Sequence, residues 1–304
     1  MISRNQSGIQ RLLENVDTSL AARWQRLDKG QLVKWTIYSL LLVNWAYYAV
    51  EEFYIASHVL RQGGTFLQWT EEFATTIDEF AWFGLLFMLE LETYVLSDSL
   101  EKRWVKWSVH GMRLVCYVFL AHTVYARVNS MVDVFAVEPS PSITSLCQVA
   151  DQDISFGDNF RYDIVTAENC SVLSDDTVFY MLDPSVITDS DGFALEEQHA
   201  WVDFQDAVIW LLVIWAIELA VWLQNRNVTG GALMLASHAA KVGYAVLLAN
   251  AAFWVWTGHW VWGWDQFLWI AGFWAIESNL SEWREEIREE LPQYASYQAN
   301  GADR

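Results

Sequence analysis

Apolar stretches alternate with polar joints along the chain, at about 35–54, 76–96, 104–127, 205–224, 232–257 and 262–280. Each approaches the ~20 residues that a helix needs to cross ~30 Å of hydrocarbon, so the pattern predicts six transmembrane helices. Upstream, Ile9, Leu12, Leu13, Val16, Leu20, Trp24 and Leu27 recur at helical spacing, with Arg11, Arg23, Arg26 and Lys29 around the other side. That arrangement predicts an amphipathic helix lying on the membrane surface. The expected organisation is an interfacial helix in 1–34, transmembrane helices 1 to 3 in 35–128, an acidic loop in 129–204, transmembrane helices 4 to 6 in 205–280, and a charged tail in 281–304. The expected fold class is an all-α integral membrane protein.

The polar residues inside these stretches are not scattered. Asp78-x3-Trp82-x7-Glu90, Asp206-x3-Trp210-x7-Glu218 and Asp265-x3-Trp269-x7-Glu277 repeat one spacing on the second, fourth and sixth segments. The first, third and fifth share another: Asn44, His122 and Asn250 each precede an aromatic by three residues (Tyr47, Tyr125, Phe253). An ungapped match of 78–122 to 206–250 pairs His110 with His238 and Arg113 with Lys241. The unit read from these spacings is a helical hairpin used three times, in parallel, compatible with a pseudo-threefold axis along the membrane normal.

Composition strengthens the membrane reading: 54% of residues are apolar, 15% aromatic, and 19 are Trp, well beyond an ordinary soluble domain. Charge then sets the orientation. Lys102, Arg103 and Lys106, Arg226, Arg284 and Arg288 flank the short turns and the tail on the side of the basic N-terminus. That side is expected to be cytoplasmic, giving a multi-pass protein of the plasma (inner) membrane with both termini inside. Between Asp133 and Asp203 stand 15 acids and one base, Arg161, a net of −14 out of the chain's −20. The acidic loop therefore faces outward, where Cys147 and Cys170 can oxidise to a disulfide, and its sign argues against nucleic acid as a partner.

The outer acids Asp78, Asp206 and Asp265 are expected in the first turns of their helices, where a carboxylate caps backbone N–H groups. Twelve residues further on, Glu90, Glu218 and Glu277 fall ~18 Å deeper at 1.5 Å per residue. A charge there costs roughly 2.5–3.5 kcal/mol on insertion scales, so these acids need partners or water. His110 and His238 share their depth, with Arg113 and Lys241 one turn further in. Such a layer is either a static ion-pair network or a relay for protons or small cations.

The leading expectation is a non-enzymatic protein that conducts or exchanges protons or small cations through a Glu/His/Arg centre, without a cofactor. The second is a membrane scaffold or sensor subunit presenting the acidic loop to a partner membrane protein or to further copies of the chain. The third is a redox subunit with b-type haem between His110 and His238, and Arg113 and Lys241 near its propionates. Asp151-x-Asp153 and Asp189-x-Asp191-Gly192 carry calcium-like acids but lack the Glu at the twelfth place that a helix-loop-helix site requires. No hydrolase triad, phosphate loop or zinc spacing is present.

Overall fold

The computed structural model describes residues 29–91, 103–225 and 231–273. Most of the surface helix expected in 1–34, the tail 281–304 and Glu277 lie outside them. The described chain is mostly helical. Helices α1 (Lys29–Val59), α2 (Phe66–Glu72), α3 (Ala74–Glu90) and α4 (Arg103–Phe135) lead into a small sheet-bearing insert. After it come α6 (Ser190–Asn225), α7 (Gly231–Trp256) and a further helix, α8, over 260–273. Two segments of the described residues, Ser190–Ile217 and His238–Trp256, are long and apolar enough to cross a membrane by length and composition.

The described residues divide into two compact units, one within 44–266 and one of 29–43 with 267–273. In the latter, Trp269 stacks on Phe273, and a side chain at Gly272 would meet Ile37 at 3.6 Å. In the former, the helices approach closely at glycines. A Cβ on Gly84 of α3 would lie 2.7 Å from the Cys116 Sγ of α4, and one on Gly243 of α7 would strike the Val213 side chain of α6. Small residues at these helix contacts let the backbones come near.

The 129–204 segment differs from the expected loop, and the chain is therefore not all-α. Helices α4 and α6 have 33 and 36 residues. At 1.5 Å per residue they run about 50 and 54 Å, well past the ~30 Å of a hydrocarbon core, and their excess length takes up both ends of the segment. Between them lie β1 (Ser155–Asp158), β2 (Arg161–Ile164), the short helix α5 (Cys170–Leu173), β3 (Phe179–Asp183) and β4 (Val186–Asp189). The strand order is β2-β1-β4-β3, with antiparallel hairpins joined by a parallel β1–β4 pair. Strands of four or five residues leave a weak periodic signal, and abundant acids dilute it. The apolar positions nonetheless converge: Leu146, Val149, Ile154, Phe156, Val165, Phe179 and Ile187 form one buried cluster with Cys170. Cys147 is bonded to Cys170 across 23 positions, with 4.9 Å between Cα atoms. On the chain-entropy account a closure of that size contributes roughly 3 kcal/mol. Cys116 is free and buried.

Candidate functional site

The outer acids do not cap their helices. Asp206 sits in the middle of α6, and Asp78 and Asp265 lie beyond the first turn of α3 and α8. All three accept side-chain hydrogen bonds instead. Asn44 Nδ2 donates to Asp265 Oδ1 at 2.7 Å, and Asn250 Nδ2 donates to Asp206 Oδ1 at the same distance. Gln266 Nε2 also donates to Asp206 Oδ1 at 2.9 Å, and Trp254 Nε1 to Oδ2 at 3.3 Å. Asp78 Oδ2 accepts from Trp82 Nε1 at 3.0 Å, with the Thr123 hydroxyl as a further donor. His122, beside Thr123, turns its Nε2 to the Thr70 carbonyl at 3.3 Å. At Asp78 the spacing of acid and Trp along one helix is read out as an i, i+4 hydrogen bond.

The cap of α3 comes from another helix. Glu52 of α1, buried, accepts the backbone N–H groups of Thr75 at 2.8 Å and Thr76 at 2.9 Å, satisfying two of the orphan donors at that terminus. Beside it, Arg127 of α4 donates from Nη1 to Asp203 Oδ2 at 3.0 Å and from Nη2 to Thr75 Oγ1 at 2.7 Å. The carboxylates of Glu52, Asp78 and Glu72 share its field. Next to Glu52 on α1, Glu51 accepts from Tyr47 OH at 2.8 Å and from Trp262 Nε1 of α8 at 2.9 Å. Tyr48, fully buried, lies among Asp265, Glu79 and Glu51. Neighbouring positions stitch these groups together: Glu51 with Glu52, Asp78 with Glu79, Asp265 with Gln266. The result is a belt of buried and half-buried acids (Glu51, Glu52, Asp78, Glu79, Asp203, Asp206, Asp265), among which the described hydrogen bonds place one guanidinium, Arg127.

The inner positions stand differently. His110, His238 and Lys241 are exposed on α4 and α7, and Arg113 is half-buried. The side chains of Glu90 and Glu218, like Glu277 as a whole, lie outside the described residues. No group of three or more His, Cys, Asp or Glu side chains suited to a metal ion occurs among the described residues.

At the belt's outer margin, Glu72 is pushed up to about 7, by burial first and then by Asp183, Glu52 and Glu71, with Arg127 opposing. Its folded form keeps a proton that the unfolded chain loses near pH ~4.5, so it contributes stability at acid pH that is lost as pH rises through about 7. Glu72→Gln is therefore expected to melt higher than the parent at about pH 8 and to match it at about pH 4. A lower melting temperature for the variant at the alkaline value would contradict this.

Sequence reasoning singled out Asn44, Asn250 and the three Asp residues but missed Glu52, Arg127, Asp203, Gln266 and the buried His199. The signal for some was visible: Glu51-Glu52 closes an apolar stretch, and Arg127 is the base that ends the next odd-numbered one. No known protein family, curated protein or solved structure matches the chain.

Proposed function

We propose that the chain is a polytopic membrane protein that conducts or exchanges protons or small cations by way of the carboxylate belt. The observation that carries this reading is the charge balance of the belt. Asp203, Glu52, Asp78 and Glu72 all lie in the field of the one Arg127 guanidinium, at positions largely withdrawn from solvent. Burying an uncompensated charge costs several kcal/mol or more, so the belt has to take up protons or cations. A site that must bind them, built on several helices, is suited to pass them on.

Six spans, an inner-membrane location and cytoplasmic termini belong to the same proposal. Support comes from apolar side chains left bare along the helices, among them Phe66 (85% exposed), Trp256 (90%) and Trp260 (68%), which lipid or another copy of the chain would cover. The duplication is supported by Asn250 with Asp206 and Asn44 with Asp265, which pair the same residue types at equivalent positions. That pairing favours cutting the repeat as segments 2–3, 4–5 and 6–1 rather than as sequential hairpins. Glu90, Glu218 and Glu277 would continue the route toward the cytoplasm.

The test is purified protein in liposomes, assayed for dye-reported proton or cation flux under an imposed gradient. Flux above empty liposomes is expected; none under either gradient would leave the scaffold reading, which the disulfide-linked outer unit with its own apolar core favours. For the topology, impermeant thiol reagents are expected to miss Cys residues introduced at 98–103 in intact cells; labelling there would overturn it.

A further inference from the structure

The tip of the β1–β2 hairpin carries backbone strain. Asn159 and Phe160 both hold positive φ, 50° and 61°. The primed turn of a two-residue hairpin asks for this, and Asn supplies it readily, but a bulky ring at the second place rarely does. Such residues cost about 1–3 kcal/mol and persist only where their surroundings over-determine them.

The surroundings here are an aromatic socket. Asn159 Nδ2 donates to the Thr257 carbonyl at 3.0 Å, and its Oδ1 meets His259 Nε2 at 2.7 Å. Phe160 stacks on His199 with ring centres 4.9 Å apart and on Trp262 at 5.7 Å, both within 10° of parallel, and meets His259 edge-on at 4.8 Å. His199 is 1% exposed, and neither of its ring nitrogens has a hydrogen-bond partner among the described residues. The two imidazoles meet edge to face, with ring centres 5.3 Å apart. Trp254 and Trp262 form the other wall, and their indole N–H groups reach away from Phe160 to Asp206 and Glu51. The same two rings hold the hairpin tip and two acids of the belt.

We propose that the Asn159–Phe160 tip is an acid-released plug over the carboxylate belt, expelled when His199 takes up a proton. An imidazolium at His199 would be a buried charge without an acceptor, against a second imidazole and a phenyl face. The groups facing the pair do not offset it. Arg161 of β2 is positive and stands near His259; burial first, and then Arg161, hold that imidazole below its ordinary range. On α6, Asp203 is engaged by Arg127, and Glu196 faces Tyr162 and Asp203. Glu51 and Asp206 are screened by the indoles they bind. The docked state therefore binds fewer protons than the released one; docking is complete above the released imidazole's range, near pH ~6.5, and weakens as pH falls. Release itself stands apart from ion movement; only its consequence, unseating two indoles from belt acids, rests on the conduction reading.

Hydrogen exchange on the full chain in nanodiscs, read over residues 155–164 and corrected for intrinsic rates, tests the plug. Wild type is expected to lose roughly tenfold protection between about pH 7.5 and about pH 5. His199→Phe, which keeps the stack but cannot take a proton, should retain most of it, and Phe160→Ala should show the lowered, acid-state protection at both values. Protection in wild type that does not change with pH, or an equal acid loss in His199→Phe, would overturn the proposal. The wild-type profile decides even where the variant does not fold. Because exchange and not flux is measured, failure of the conduction reading leaves the result unaffected.

Discussion

Arg127→Met is expected to cost about 3–5 kcal/mol, enough to leave little folded protein, because it strands buried acids without their cation. The guanidinium holds Asp203 at 3.0 Å and the Thr75 hydroxyl at 2.7 Å, and Thr75 in turn gives its N–H to Glu52. Three elements meet at this one side chain: the start of α3, α1 through Glu52, and α6 through Asp203. Removing it both unbalances the charge and frees the α3 terminus. Thermal unfolding in detergent, with protein yield as a second readout, measures the loss. A companion Asp203→Asn change should recover part of it, since one stranded charge is then gone, and the double-mutant cycle isolates that coupling. A melting temperature for Arg127→Met equal to that of the parent would mean that the belt is already neutral without the arginine, and would remove the argument from charge balance.

The helices were legible because their signal is long. An apolar stretch of about 20 residues resists misreading, and each of the six carries helix in its described part. The insert was not legible, because four- and five-residue strands leave few alternating positions and acids fill the spaces between them. Its disulfide was legible, since two cysteines in one acidic segment leave one pairing. Within the site, Asp206 shows what sequence could reach and what it could not. Its place in the repeated acid, Trp, acid spacing marked it, but its neighbours Asn250, Gln266 and Trp254 come from two other segments, and no spacing along α6 encodes them. The expectation that it caps a helix failed for a definite reason: α6 begins sixteen residues earlier, at Ser190, as part of the insert. Glu52 was overlooked for the converse reason, being the cap of a helix to which it does not belong.

Asp265→Asn is the change expected to separate conduction from framework, with flux reduced at least roughly tenfold and folding nearly intact. Asp265 accepts the Asn44 amide on Oδ1, and asparagine at the same place still offers that oxygen, so the contact between the two helices survives. What disappears is a carboxylate that can hold and release a proton or a cation beside Glu51, Glu79 and Tyr48. At Asp206 both oxygens accept N–H donors, so an amide NH2 there would set donor against donor and unfolding would mask any loss of flux. The measurement is liposome flux for parent and variant at matched protein density, with melting temperatures recorded on the same preparations. Reduced flux at an unchanged melting temperature places Asp265 on the route. Unchanged flux, against a parent that conducts, would take the Asn44–Asp265 pair out of the pathway and leave it as a fastening between α1 and α8. A parent that conducts nothing would make the belt a structural network, with the disulfide-linked, sheet-bearing insert as the working surface.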